Sequence, residues 1–446
     1  MSRKSASVSR RSFLKSAGAI AAGSALSACF ITEQRRYAAP ARRLSPTDKF
    51  NIALIGCGGR GRGDAKDAQQ FGTIVAVCDV DQQHAEQAAK QFEGAKAYTD
   101  FRKVVERDDI DVIITGTPDH WHTLVNLAAI KAGKDVYSEK PLTLTIDEGK
   151  RLVKAVRQNK RILQTGSQQR SDNRFRLACE LVRNGRIGKL TNIWVGLPMG
   201  LRGGPFASKP VPEGLNWDFW LGQTRQVDYV PERCHFSFRY WYDYSGGTMT
   251  DWGAHHNDIA LWAMGLDHSG PVAIAGKALA EMIPGGYTAA SEYRVEYTYA
   301  NGVKHICESI DTDSPTGGVL KEPAPGKFHN GLKFDGTDGW IYVTRGSIKA
   351  SQPELLKEPL PAGAERLPVS DNHMGNFFDC VRSRQLPICD VAIGHRSVSV
   401  CHLGVIAIRL GRKLAWDPAR EEFTGDKEAN SYLVREMRKP WTYDMI

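Results

Sequence analysis

A chain of 446 residues that is 41% hydrophobic and 24% charged has length enough for two domains and the composition of an ordinary folded protein, which excludes a disordered or fibrous chain. The formal charge of +9 falls to +4 without residues 1–28, where Arg3, Lys4, Arg10, Arg11 and Lys15 stand without an acid (9 − 5 = 4); no basic stripe is interleaved with aromatics, so nucleic acid is not an expected partner. The nine cysteines are an odd number with no C-x-x-C pair or zinc spacing, and Cys57, Cys78 and Cys179 fall in apolar runs as small buried hydrophobes.

Residues 1–29 read as a leader. Ser9-Arg-Arg-Ser-Phe-Leu-Lys15 precedes a mildly apolar stretch, Ser16–Ala28, too short to span a bilayer. Its paired arginines resemble a twin-arginine export signal, and Leu26-Ser-Ala-Cys29 resembles a bacterial lipobox. The expectation is a periplasmic protein that meets the membrane only through its signal or a lipid on Cys29; the alternative is a simply cleaved signal with an incidental cysteine. Residues 30–48, with Arg35, Arg36, Pro40, Arg42 and Arg43, read as a flexible basic tether.

A first domain over 49–166 opens with the apolar strand Ile52–Ile55, which runs into Gly56-x-Gly58-x-x-Gly61. Gly56 permits the turn, Gly58 lets a pyrophosphate approach the backbone, and Gly61 lets the following helix pack closely. Gly59 and Arg60 lie in the same loop. A helix over Asp64–Phe71 and a strand over Thr73–Cys78 lead to Asp79, the expected place for an acid on a ribose hydroxyl. Asp79 favours NAD by repelling a 2′-phosphate, while Arg60 and Arg62 leave NADP open. The strand Asp111–Thr115 ends in Gly116-Thr-Pro-Asp-His-Trp-His122, and Asp135–Tyr137 ends in Ser138-Glu139-Lys140-Pro141. Both loops fall at the carboxyl end of a parallel sheet, where open α/β folds bind ligands.

The order G-x-G-x-x-G, Asp79, T-P-x-x-x-H and E-K-P resembles the Gfo/Idh/MocA oxidoreductases, over nearly all of the chain after residue 50. The resemblance implies an α/β fold: a doubly wound Rossmann sheet followed by an α+β domain, 167–446, with a largely antiparallel open sheet whose face commonly makes an oligomer contact, hence a homo-oligomer. It implies cofactor contacts from Gly56, Gly58, Gly59, Arg60, Gly61, Asp79, Thr117, Pro118, His122, Glu139 and Lys140. It also places Lys140 by the nicotinamide and the reacting hydroxyl, with Pro141 shaping the turn.

In the second domain Gln168-Gln-Arg170 crosses from the first, and Asn301-Gly302 between two apolar runs is a hairpin signal. Residues 199–245 are rich in Gly, Pro, Trp and Tyr and read as a sugar-stacking wall, a lid or plain packing. Gly246-Gly-Thr-Met-Thr-Asp251-Trp-Gly-Ala-His255-His256-Asn257-Asp258 is the densest constellation. On one helix Asp251 and His255 share a face. The family pattern G-G-x-x-x-D-x-x-x-H-x-x-D implies that both touch sugar hydroxyls, with His255 as acid/base. Arg170, Tyr240 and His256 complete the expected substrate contacts, His256 reading as packing first. No metal site is expected, since H-x-x-x-H and similar spacings are absent.

These readings converge on a nicotinamide-dependent oxidoreductase of a sugar or glycoside hydroxyl. An exported enzyme has no soluble nicotinamide pool to draw on and must retain its cofactor. Two alternatives stand: glycoside cleavage by transient oxidation and elimination, and a non-catalytic exported sugar-binding protein.

Overall fold

The computed structural model describes residues 49–310 and 330–444; the leader, the tether and Cys29 lie outside them. Six short strands form the first sheet: β1 (Phe50–Ile55), β2 (Gly72–Cys78), β3 (Lys96–Tyr98), β4 (Val112–Thr115), β5 (Asp135–Ser138) and β6 (Leu163–Thr165). They pair in the order β3-β2-β1-β4-β5-β6, all parallel. Helices cover both faces, which is why β4 and β5 are buried at every position rather than alternating. The crossover helices used below are α1 (Gly59–Ala68), α2 (Gln82–Gln91), α3 (Asp119–Lys131) and α4 (Ile146–Gln158). The last of these starts at a capping box in which Thr145 and Glu148 satisfy each other's backbone N–H groups.

Helix α5 (Asn173–Arg183) leads into a nine-stranded sheet. It comprises β7 (Leu190–Pro198), β8 (Ala273–Ala278), β9 (Tyr293–Thr298), β10 (Lys304–Ile310), β11 (Gly331–Gly336), β12 (Trp340–Thr344), β13 (Ile348–Ala350), β14 (Leu414–Asp417) and β15 (Glu422–Phe423). Only the central β7–β10 pair is parallel. The protein therefore has a parallel Rossmann sheet and a mostly antiparallel second sheet, as its motif order implies. Strand β9 alternates buried and half-buried positions because one face packs on helices. Those helices are α6 (Gly253–Met264) and α8 (Val391–Leu410). By length and hydropathy α8 resembles a membrane span, yet 78% of its apolar window is buried inside the fold.

The sequence division at residue 167 is not clean. Helix α7 (His373–Ser383) returns to the first sheet, where Phe378 packs on Phe50 and Phe71 with ring centroids 5.0 and 4.9 Å apart. Just beyond it, Thr165 of β6 donates its N–H to the Cys389 carbonyl at 3.0 Å. The eight cysteines among the described residues are buried and unpaired.

Candidate active site

The carboxyl ends of β1, β2, β4 and β5 open into a cavity of about 530 Å³ that the second domain closes from above. At its base the backbone of Gly56 takes φ +93°, and a Cβ there would lie 2.5 Å from the backbone of Gly116 and Thr117. Only glycine makes this turn. A Cβ on Gly61 would lie 2.1 Å from the Gly56 carbonyl oxygen, so its absence is what lets α1 lie against the turn. Gly58 is the N-cap of α1 and supplies no side-chain cap, leaving helix N–H groups at the cavity wall for an anion.

Asp79 is held rigidly at the end of β2. One carboxylate oxygen accepts the Cys57 N–H at 2.8 Å and the other the Asp81 N–H at 3.0 Å. Across the cavity Thr117, Pro118, His122, Glu139 and Lys140 line the wall with Gly59 and Arg60. Arg60 donates to Glu139 at 3.0 Å, and Gln168 donates to the same oxygen at 3.0 Å. His122 is fixed between the Pro141 and Thr117 carbonyls at 2.7 and 2.9 Å. The Thr117 hydroxyl is buried with no protein partner. A glycine cradle, an uncapped helix start, a fixed acid and an unclaimed hydroxyl together fit a dinucleotide.

The reacting end is built from both domains. Lys140, next to a cis Lys140–Pro141 peptide, donates to the Asp251 carboxylate and, at 3.3 Å, to the Asp251 carbonyl. The side chains are 14% and 18% exposed, so the pair is largely shielded while still lining the cavity. Burial raises the Asp251 carboxyl, but Lys140 and Arg239, whose Nε lies 3.7 Å away, outweigh it and hold the group below the usual carboxylate range. His255 is 4% exposed. Burial first, then the positive neighbours Lys140, Arg345, His256 and Arg60, push it well below the usual imidazole value, and its Nδ1 has no protein partner.

The structure bears on four of the expected site assignments. Asp251 ends a helical turn at Thr248–Asp251 and His255 lies in the first turn of α6, with Trp252 in right-handed helical conformation between them; Asp251 lines the cavity and His255 does not. Arg170 offers nothing to a substrate, because it is 1% exposed and its guanidinium is spent on Asp258 (2.8–3.1 Å) and Asp267 (2.7 Å). His256 is fully buried and bonded to Asn330 at 2.6 Å, as a packing residue is. Tyr240 is half-buried against Tyr287 and is also absent from the cavity wall.

The wall also includes Asp119, to which the sequence assigned no role, and side chains of the 199–245 insertion. Asp119 begins α3, and burial raises its carboxyl while Ser245 donates to it. Phe219, Trp220, Phe236, Phe238 and Arg239 come from the aromatic insertion, which both lines the cavity and packs into a buried cluster of its own around Trp217, Trp241 and Tyr244. Their aromatic density was the available signal; their partner, Trp121, was hidden in α3 and donates to the Trp220 carbonyl at 2.9 Å.

Comparison with known proteins matches both halves. A profile described as "Oxidoreductase family, NAD-binding Rossmann fold" covers residues 50–167, and one described as "Oxidoreductase family, C-terminal alpha/beta domain" covers 193–443. Inositol 2-dehydrogenase 4 of Saccharopolyspora erythraea is 33% identical over 145 residues, 32% of this chain and 43% of that protein. Glycosyl hydrolase family 109 protein 2 of Shewanella sp. (strain ANA-3) is 32% identical over 158 residues, 31% and 35% of the two chains. The chain thus matches only about two fifths of the length of these curated relatives. Among solved structures, the Bordetella pertussis WlbA dehydrogenase in complex with NADH and UDP-GlcNAcA has TM-score 0.60 at 17% identity, over 83% of this chain and 99% of that one. Levoglucosan dehydrogenase with NADH and L-sorbose gives TM-score 0.60 at 17% identity, over 82% and 98%. At that identity the likeness is one of fold.

Proposed function

The chain belongs to the Gfo/Idh/MocA oxidoreductase family and carries its NAD-binding Rossmann domain, and on that premise we propose that it oxidises a hydroxyl of a sugar or glycoside. The observation that carries this reading is the Lys140–Asp251 pair, which joins the two domains in the cavity that also holds Gly58 and Asp79. NAD, when bound, supplies the hydride acceptor. Gly58, Gly59 and Asp79 hold it, with the Thr117 hydroxyl as a further donor.

The chain's own groups do the rest. Lys140 hydrogen-bonds the substrate oxygen from the cavity wall and stabilises it as it loses its proton. Asp251 keeps the ammonium aimed. In this reading His255 is the final proton acceptor, by relay rather than direct contact because it does not line the cavity: burial keeps its imidazole neutral and its Nδ1 has no competing partner. The aromatic insertion stacks on the sugar and excludes water.

The leader motif and Cys29 support export and a lipid anchor; intact mass of the membrane-extracted protein tests the latter. Retention of NAD goes with export, and two contacts favour it: Gln82 donates its N–H to the Gly214 carbonyl at 3.0 Å, and Asn216 its N–H to the Val80 carbonyl at 3.0 Å, so the insertion is stitched beside Asp79. The test is to dialyse the full chain extensively, denature it and identify the released nucleotide. Near-stoichiometric NAD is expected. No nucleotide, and no binding on adding NAD back, would overturn the assignment in favour of a non-catalytic binding protein.

A further inference from the structure

One cluster at the cofactor end of the cavity, where His84 and His235 line the wall beside Asp79, takes no part in the reacting chemistry. Asp81 caps the start of α2, His84 lies in its first turn, and His235 comes from the far side of the aromatic insertion. Their ligand-type atoms lie within 4.8 Å of one another. The Nε2 of His235 is 3.5 Å from a carboxylate oxygen of Asp81, and the rings of His84 and His235 stand 4.6 Å apart and tilted by 52°. Asp79, already fixed by two backbone N–H groups, presents a carboxylate oxygen 3.7 Å from Nδ1 of His84. Acids in this position orient ligating histidines. The backbone of His235 turns through φ +50°, a conformation that an L-residue adopts only where its surroundings hold it.

Four facts bear on what the cluster takes. A tetrahedral ion with nitrogen and oxygen donors at about 2.0–2.2 Å has donor–donor edges of roughly 3.3–3.6 Å. The His235–Asp81 edge already has that length, and a side-chain rotation of His84 closes the rest. Two imidazoles with one carboxylate select zinc-class ions over calcium or magnesium, which want oxygen donors. The two carboxylates, Asp79 and Asp81, disfavour a phosphate in the same place. The donors also come from two parts of the chain, so an ion bound to all three ties the insertion to the cofactor domain.

We propose that Asp81, His84 and His235 form a divalent-cation site of the zinc class, with water completing the shell, that pins the aromatic insertion over the mouth of the cofactor cavity. The site borders the cofactor through Asp79 but shares none of the reacting groups Lys140, Asp251 and His255, and its first readout is metal binding rather than turnover. Full-length, NAD-loaded protein is stripped with EDTA, dialysed and titrated calorimetrically with zinc. One ion per chain is expected. His235→Ala and, separately, His84→Ala weaken binding by at least about 100-fold, the upper end of what loss of a mere supporting group costs. Because the His235 side chain is 45% exposed, its variant keeps the parent's melting temperature, which separates site loss from misfolding. The second readout is escape of bound NAD on dilution and filtration: zinc slows it in the parent and has no effect in His235→Ala. Absence of stoichiometric binding, or equal affinity in the parent and both variants, overturns the site. Binding that depends on both histidines but leaves NAD escape unchanged overturns the pinning role.

Discussion

Replacing Arg170 tests the correction made to its role. Arg170 is 1% exposed, makes four hydrogen bonds to Asp258 and Asp267, and lies 5.0 Å over the Trp262 ring. Asp258 is fully buried. Arg170→Met keeps most of the stem volume but leaves the Asp258 charge without its cation, and breaking one side of a buried pair costs about 3–5 kcal/mol. A domain of this size loses about 2–4 °C of melting temperature per kcal/mol, so a fall of roughly 6–20 °C is expected by calorimetry or circular dichroism. Adding Asp258→Leu removes the orphaned charge and restores most of the loss; Ser397, which also donates to Asp258, keeps its second acceptor, the Ile393 carbonyl at 3.0 Å. Sugar affinity at a temperature where both proteins are folded stays unchanged. An Arg170→Met protein that melts with the parent and binds sugar more weakly would refute this reasoning and return Arg170 to the substrate.

Lys140→Ala lowers kcat/KM by about 10²–10⁴-fold while leaving the content of bound NAD unchanged, and Lys140→Arg does not rescue it because the planar fork replaces a compact ammonium; full turnover in Lys140→Ala would remove the lysine from the reaction. Gly61→Ala drives a methyl to 2.1 Å from the Gly56 carbonyl, so the variant purifies without nucleotide; normal NAD content would show that the turn yields. Burial holds His120, His256, His305 and His402 down to about 3 and His373 to about 4. The unfolded chain takes up these protons near the ordinary value of about 6.5 while the folded chain refuses them, so stability is full above that pH and drains as pH falls toward the folded values, by up to about 1.4 kcal/mol per unit for each histidine. Acid unfolding followed by circular dichroism should therefore begin below about pH 6; a melting temperature that stays flat to about pH 4.5 would contradict the burial argument.

The features legible in the sequence are those whose physics is local. Gly56, Gly58 and Gly61 are spaced by the geometry of one strand–turn–helix, and Asp79 and Lys140 each close a strand of the same parallel sheet, so their shared cavity follows from the sheet alone. Arg170 and Asp258 were both visible, but the ion pair that consumes them spans 88 residues and carries no local pattern. The i,i+4 spacing of Asp251 and His255 says nothing of depth, which is why the sequence could not show that Asp251 reaches the cavity wall while His255 does not. Likewise nothing local in the sequence pairs His84 with His235; the insertion brings their rings together across the cavity mouth.

The return of α7 to the first sheet has a consequence for biogenesis. Phe377 and Phe378 are fully buried in the cluster that holds Phe50, Ile52 and Leu54 of β1. A ribosome that has released only the first 170 residues has made every strand of the nucleotide sheet but not the aromatic cover for one of its faces. The phenylalanines that cover that face are made only after more than half of the remaining chain, so the nucleotide sheet completes its core late in synthesis. The same wiring means that the cofactor half cannot be excised or exchanged as a cassette ending near residue 167: such a fragment leaves behind the phenylalanines that finish its core.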